Sequence, residues 1–280
     1  MRESEAEAVH MLGVAAFEDL SRRLGEPIRP RPDVGQALIR VRHLIRTDPG
    51  GALVAEAGGQ LVGAALAIVR GPLWGLSLLI VLPEHQSAGV GRELLARALE
   101  HGDEAVRGGV IFSSPDSRAL RAYARAGFTL HPSINAEGKP RGVTAPPSVR
   151  DGSIEEDLPL TEAVDVAVRG APHGRDIVTS LSVGGRLFVV PERGYAIVHD
   201  GTRLSQLAAL DEEAAQDLLR AALAAVPPGK EVGVEFITSS QAWAIEPVLD
   251  AGLELQPGGA VFLRGEVGPF APYLPSGAYL

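Results

Sequence analysis

The stretch from Leu76 to Leu99 constrains this chain more than any other. Residues 76–82, Leu-Ser-Leu-Leu-Ile-Val-Leu, are short, apolar and closed by Pro83, the pattern of a buried strand. Residues 90–99 set Val90, Leu94, Leu95, Ala98 and Leu99 on one face of a helix. Between them runs Pro83-Glu-His-Gln-Ser-Ala-Gly-Val-Gly91, with no acidic side chain from Gln86 to Arg92. Strand, glycine turn and helix N-terminus together present backbone N–H groups to an anion, usually a phosphate. A Cβ at Gly89 or Gly91 would hold the backbone away from such a ligand.

The rest of the composition narrows the partners. A net charge of −9 argues against a broad nucleic-acid surface, which needs clustered Lys and Arg. Lysine occurs only at Lys139 and Lys230, so arginine carries nearly all the positive charge. The absence of cysteine excludes disulfides, thiolate zinc sites and cysteine nucleophiles. The seven histidines are scattered, with no i, i+4 pair, so no metal site is expected. The opening Met1-Arg-Glu-Ser-Glu-Ala-Glu is acidic where a signal peptide is basic and then apolar, and no apolar run reaches membrane-spanning length. A cytoplasmic protein, free of membrane and nucleic acid, is the expectation.

Helical spacing covers residues 6–24 and 34–45, with a turn at Asp48-Pro-Gly-Gly51. Residues 52–56 and 61–69 read as a hairpin through Gly58-Gly59. After the central helix come a strand at 110–112, a helix at 118–126 stopped by Gly127, and a closing strand at 129–134. Residues 135–147, rich in Gly, Pro and basic residues, read as a linker or long loop. Beyond it lie helices at 160–169, 211–225 and 242–251, and strands near 187–190, 195–199, 204–207, 232–237 and 261–263. The tail from Gly268 holds three prolines and cannot form a long helix.

The two halves echo each other. A shift of 125 positions lays Leu94 on Leu219, Ala119 on Ala244, Ala126 on Ala251 and Gly127 on Gly252. Element order agrees as well as residues, so an internal duplication is expected. The same shift sets Asp211 at Gln86, Ala214 at Gly89, Gln216 at Gly91 and Val248 at Tyr123. An acidic residue and added side chains in that turn oppose a phosphate.

The segment Val81-Leu-Pro-Glu-His-Gln86-Ser-Ala-Gly89-Val-Gly91, followed by Leu94-Leu95, resembles the acyl-coenzyme A signature of the GNAT family of N-acetyltransferases, Gln/Arg-x-x-Gly-x-Gly/Ala. A second segment, Asp116-Ser-Arg-Ala119-Leu-Arg-Ala-Tyr123-Ala-Arg-Ala-Gly127-Phe128, resembles that family's Asn-x-x-Ala-x-x-x-Tyr-x-x-x-Gly-Phe. Asp116 stands where the pattern has Asn. The resemblance covers residues 6–134 and is faint beyond.

The resemblance implies an α/β fold of two GNAT-like domains in tandem, each a mixed sheet flanked by helices. Residues 1–140 would bind acetyl-CoA as co-substrate; residues 148–280 would be a degenerate copy that shapes the acceptor site. It implies that backbone groups of Leu79, Ile80 and Val81 pair with the pantetheine arm and polarise the thioester carbonyl. Ser87, Ala88, Gly89, Val90, Gly91 and Arg92 would wrap the pyrophosphate through backbone N–H groups, with Gln86 and Asp116 further cofactor contacts. Tyr123 would protonate the departing thiolate. The acceptor would be an amine on a small molecule or peptide, and a homodimer is an open option.

The general base is not specified. The 76–82 strand carries no acid, and Ser77 is its one polar residue. Glu56, His85, Glu18, Asp19 and a terminal carboxylate at Leu280 are the alternatives. Two other functions fit the same turn: a non-catalytic acyl-CoA-binding or regulatory protein, and a binder of a different phosphate ligand.

Overall fold

The computed structural model describes residues 1–28, 33–102, 104–199, 201, 203–275 and 277–280. The chain packs as two compact units, residues 1–69 with 74–106 and residues 70–73 with 107–280.

In the first unit, α1 (Ala6–Leu24) follows the apolar stripe and ends on Gly25 in the left-handed region, φ 70°. Helix α2 (Val34–Thr47) starts where the Asp33 carboxylate accepts from Gln36 N–H at 2.9 Å. Strands β1 (Ala52–Ala57) and β2 (Gln60–Arg70) form the expected antiparallel hairpin over Gly58 and Gly59. Strand β3 (Leu73–Val81) lies beside β2. A 3-10 turn over Pro83–His85 leads to α3 (Val90–Leu99). Val9, Leu12 and Ala16 of α1 bury against Ala64 and Ile80. The Trp74 indole donates to Ala98 O at 3.0 Å, which pins the end of α3 to the start of β3. Buried Asp48 accepts from Val69 N–H at 2.8 Å and lies 3.3 Å from His101 Nε2, fixing the turn before the hairpin.

The second unit holds β4 (Gly108–Ser113), α4 (Ser117–Arg125), β5 (Thr129–Gly138), β6 (Arg150–Asp151), α5 (Ile154–Arg169), α6 (Arg175–Ser182), β7 (Gly185–Val190), β8 (Gly194–His199), β9 (Arg203–Ala209), α7 (Glu212–Ala224), β10 (Val232–Ile237), α8 (Ile245–Asp250), β11 (Glu254–Gly265) and β12 (Tyr273–Leu274). Its strands run in the order β4, β11, β5, β10, β9, β8, β7, β6, with β12 on β9. The β9–β10 pair is parallel; the others with a described register are antiparallel, so the sheet is mixed. Phe188, Leu207, Leu219, Trp243, Val248 and Leu253 bury together at its core.

The strand order records the internal repeat. Shifted by 125 positions, β4, α4 and β5 fall on β10, the 3-10 turn Ser239–Ala244 with α8, and β11. Each closing strand is exchanged: β11 pairs with β4, and β5 pairs with β10, while β5 and β11 pair with each other. The 140–148 segment therefore lies inside the second unit, between β5 and β6.

Three readings of the sequence need correction. Residues 135–138 belong to β5 rather than to a linker, because β10 and β11 supply partners on both sides. The helix expected from 160 begins at Ile154, capped by the Ser153 hydroxyl, and tolerates Pro159 in its interior. The helix expected at 242–251 opens as a 3-10 turn, because Gln241 has φ −106° and breaks the α geometry. The short pieces β6, α6 and β12 gave no periodic signal. The tail is ordered by packing: Tyr279 is 5% exposed and Leu280 1%.

Candidate functional site: an open anion turn

The first unit carries the turn. Ile80 is 4% exposed and faces the α1 core, while Leu79 and Val81 are half-buried. Gln86 folds back on the strand, its amide donating to Val81 O at 2.9 Å. That bond fixes where the chain leaves β3 and explains a long amide side chain at this position. Ser87 (φ 64°) and Gly89 (φ 90°) both take left-handed backbone. Left-handed residues in such a turn can gather neighbouring N–H groups around one concavity, an arrangement that suits an anion.

Gly89 is the N-cap of α3 and offers no side chain to cap it. The helical ladder begins with Glu93 N–H on Gly89 O, 3.0 Å. Among the described residues, no well-formed hydrogen bond joins the N–H groups of residues 87–92 to a carbonyl or side chain. The partial positive charge of the helix N-terminus adds to them. Ser87, Ala88 and Arg92 are exposed around the turn. A Cβ at Gly91 would meet Val81 Cγ2 at 3.6 Å, an ordinary contact, so packing does not require a glycine there.

Two residues of this unit escaped the sequence reading. A Cβ on Gly63 would sit 3.0 Å from Leu94 Cδ1, 3.1 Å from Ile80 O and 3.3 Å from Val90 Cγ1, so this glycine lets α3 settle on the sheet. A lone glycine inside an apolar strand was the available signal. Arg40 donates to Ser77 Oγ at 2.6 Å and to Ser77 O at 3.3 Å, so the one hydroxyl of residues 76–82 is held by a guanidinium.

In the second unit, Asp116 caps α4: its carboxylate accepts from Arg118 N–H at 2.9 Å and pairs with the Arg118 guanidinium at 3.0 Å. Tyr123 is 6% exposed and packs edge-on against Phe262, with ring centroids 5.4 Å apart. Its hydroxyl has no protein hydrogen-bond partner among the described residues. Burial, with the Asp116 charge second, pushes the phenol well above its ordinary value, so the hydroxyl keeps its proton.

The candidates for a base are dispersed. Glu56 is exposed at a register shift of β1, and half-buried His85 sits in the 3-10 turn. Glu18 is half-buried on α1, and Asp19 pairs with Arg23 at 2.9 Å. In the second unit the main-chain oxygen of Leu280 lies 2.8 Å from His173 Nε2, in a buried cluster with Asp165 and Tyr195.

The turn before α7, aligned by the repeat with the open turn, is closed by its own side chains. Asp211 accepts from Ala214 N–H at 2.9 Å and is gripped by Arg193, which also reaches Glu213 at 2.7 Å. The guanidinium holds the Asp211 carboxyl below its ordinary range. Among the described residues, no cluster of three or more acidic or histidine side chains could hold a metal, and no helix is long and apolar enough to cross a membrane.

Residues 15–128 match the model of the acetyltransferase (GNAT) family. Solved structures of low identity share its fold. A candidate acetyltransferase of Pyrococcus horikoshii matches with a TM-score of 0.80 at 16% identity, over 99% of this chain and 93% of the other. A tandem GNAT protein from the clavulanic acid biosynthesis pathway matches with 0.58 at 16% identity, over 94% and 95%. A GCN5-related N-acetyltransferase of Kribbella flavida matches with 0.55 at 17% identity, over 95% and 70%. The tandem form is consistent with the second of these. No curated protein matches the sequence.

Proposed function

We propose that this protein is an N-acyltransferase that takes an acetyl group from acetyl-CoA and gives it to an amine on a small molecule or peptide. The observation that carries the reading is the turn at residues 86–92, whose N–H groups from 87 onward make no well-formed hydrogen bond to the protein among the described residues. Residues 87–92 would bind the pyrophosphate, with the Arg92 guanidinium as added positive charge and Gln86 bracing the turn. Backbone groups of Leu79, Ile80 and Val81 would pair with the pantetheine arm and polarise the thioester carbonyl. The amine nitrogen bonds to the acyl carbon as the carbon–sulfur bond breaks. Tyr123, kept protonated by burial, would donate to the leaving sulfur. Asp116 is a secondary contact in this scheme, since its carboxylate already serves α4 and Arg118.

Residues 1–140 are proposed as the catalytic domain, and residues 148–280 as a copy that has lost cofactor binding. The closed turn at Asp211 supports the second part. A cytoplasmic location and a monomer or homodimer belong to the same proposal. A second reading, an acyl-CoA-binding regulatory protein, is favoured by one observation: β3 carries no carboxylate to act as base. Coenzyme A release with a panel of amines, aminoglycosides, amino acids and peptides separates the two. Turnover with any of them supports the transferase; tight acetyl-CoA binding with no acylation across the panel supports the regulator.

A further inference from the structure

A cavity of about 60 Å³ lies in the second unit. By the usual measure it has room for about four water-sized groups. Four aromatic rings line it: Phe112, Phe236, Phe270 and Tyr273. Phe112 stands 5.3 Å from Phe236 and 6.5 Å from Phe270, and Phe270 is 5.4 Å from Tyr273, at tilts of 52°, 71° and 73°. Rings tilted in this way form walls rather than a stack.

Two of these residues hold backbone conformations that bulky side chains avoid. Phe236 has φ 61° and Phe270 has φ 47°. Both are locked in place. Phe236 lies in the register break between β10 and β5, and its N–H reaches Asn135 Oδ1 at 3.3 Å. Phe270 N–H donates to Val168 O at 2.8 Å, and Phe270 O accepts from the Gln241 amide. Strain that the surroundings over-determine clusters at ligand clamps. Here both strained residues are aromatic, and both face one cavity.

The lining chemistry indicates the ligand. The Gln241 amide is spent on Phe270 O and on Thr238, and the Tyr273 hydroxyl lies 3.4 Å from His173. Among the described residues no Lys, Arg, Asp or Glu lines the cavity, and its titratable groups are His131 at the exposed rim and Tyr273. A primary ammonium would lose its water here without gaining a carboxylate. An alkylated ammonium is weakly hydrated and is held by ring faces alone.

We propose that this aromatic cavity binds a methylated ammonium group, of the trimethylammonium kind. The proposal goes beyond the transferase reading and does not depend on it. The test is calorimetric titration of the full chain, without acetyl-CoA, with choline and with its neutral carbon isostere 3,3-dimethylbutan-1-ol. Choline is expected to bind roughly tenfold more tightly than the isostere. Phe112→Leu and Phe236→Leu, each checked for native circular dichroism, are expected to weaken choline about fivefold or more. If one variant fails to fold, the other decides. Equal affinity for choline and the isostere would overturn the cation assignment, and no saturable choline binding up to about 50 mM would overturn the site.

Discussion

Gly91 is a position where binding and folding separate. It lies in the first turn of α3, outside the left-handed region, and its Cβ would meet only an ordinary contact. An aspartate there suits the helix dipole but sets a negative charge where a pyrophosphate would lie. Gly91→Asp is therefore expected to weaken acetyl-CoA about tenfold or more, with the melting temperature within about 2 °C of wild type. Fluorescence titration and a thermal melt of the same sample check both halves. Tyr123→Phe keeps the ring against Phe262 and removes only the hydroxyl. A fall in kcat of about a hundredfold with KM unchanged is the expected outcome in steady-state assays; unchanged kcat would strip Tyr123 of its role. The open turn was legible in the sequence because glycine, a closing proline and the lack of acids are local signals. Gly63, Arg40 and the Gln86–Val81 bond were not, because each depends on which element packs above which.

Elements were read well where one face is apolar. The extent of α1, α2, α3, α4 and α7, and the β1–β2 hairpin, follow from spacing and caps. Strand exchange was not readable, since the residues of β5 and β11 do not themselves specify which distant strand each pairs with. The segment 135–138 looked like linker because its composition is loop-like, yet partners on both sides hold it as strand. The exchange depends on close backbone approach: a Cβ on Gly259 would lie 1.7 Å from Ser113 O. Gly259→Ala is expected to destabilise the protein by about 2 kcal/mol or more, seen as a lower urea midpoint. A midpoint unchanged within error would mean that β11 and β4 do not pair as described.

The whole molecule pairs one open turn with one closed copy of it, on a chain that is acidic overall. Its stability has an alkaline limit set by buried phenols. Tyr123, Tyr195 and Tyr273 all have values raised by burial, above the unfolded value of about 10. A raised folded value means that the folded state holds the proton more tightly. The stabilisation is complete below about pH 10 and is lost as pH rises above it. Urea midpoints are expected to be flat from about pH 8 to 9.5 and to fall beyond 10, less steeply in Tyr123→Phe. The repeat was visible in the sequence as matched residues, and the α7 turn closed by Arg193 and Asp211 supports the proposal that this copy does not bind a phosphate.

The central claim is that the turn at residues 86–92 binds acetyl-CoA. Its most direct test is the thermal shift of the wild-type chain with saturating acetyl-CoA, beside ATP and NAD at equal concentration. Ligand at a hundred times its Kd adds about 2.7 kcal/mol, a rise of roughly 5 °C for a chain of this size. That rise with acetyl-CoA, small or absent with ATP and NAD and lost in Gly91→Asp, is the expected result. No shift with acetyl-CoA, or an equal shift with all three ligands, would contradict it.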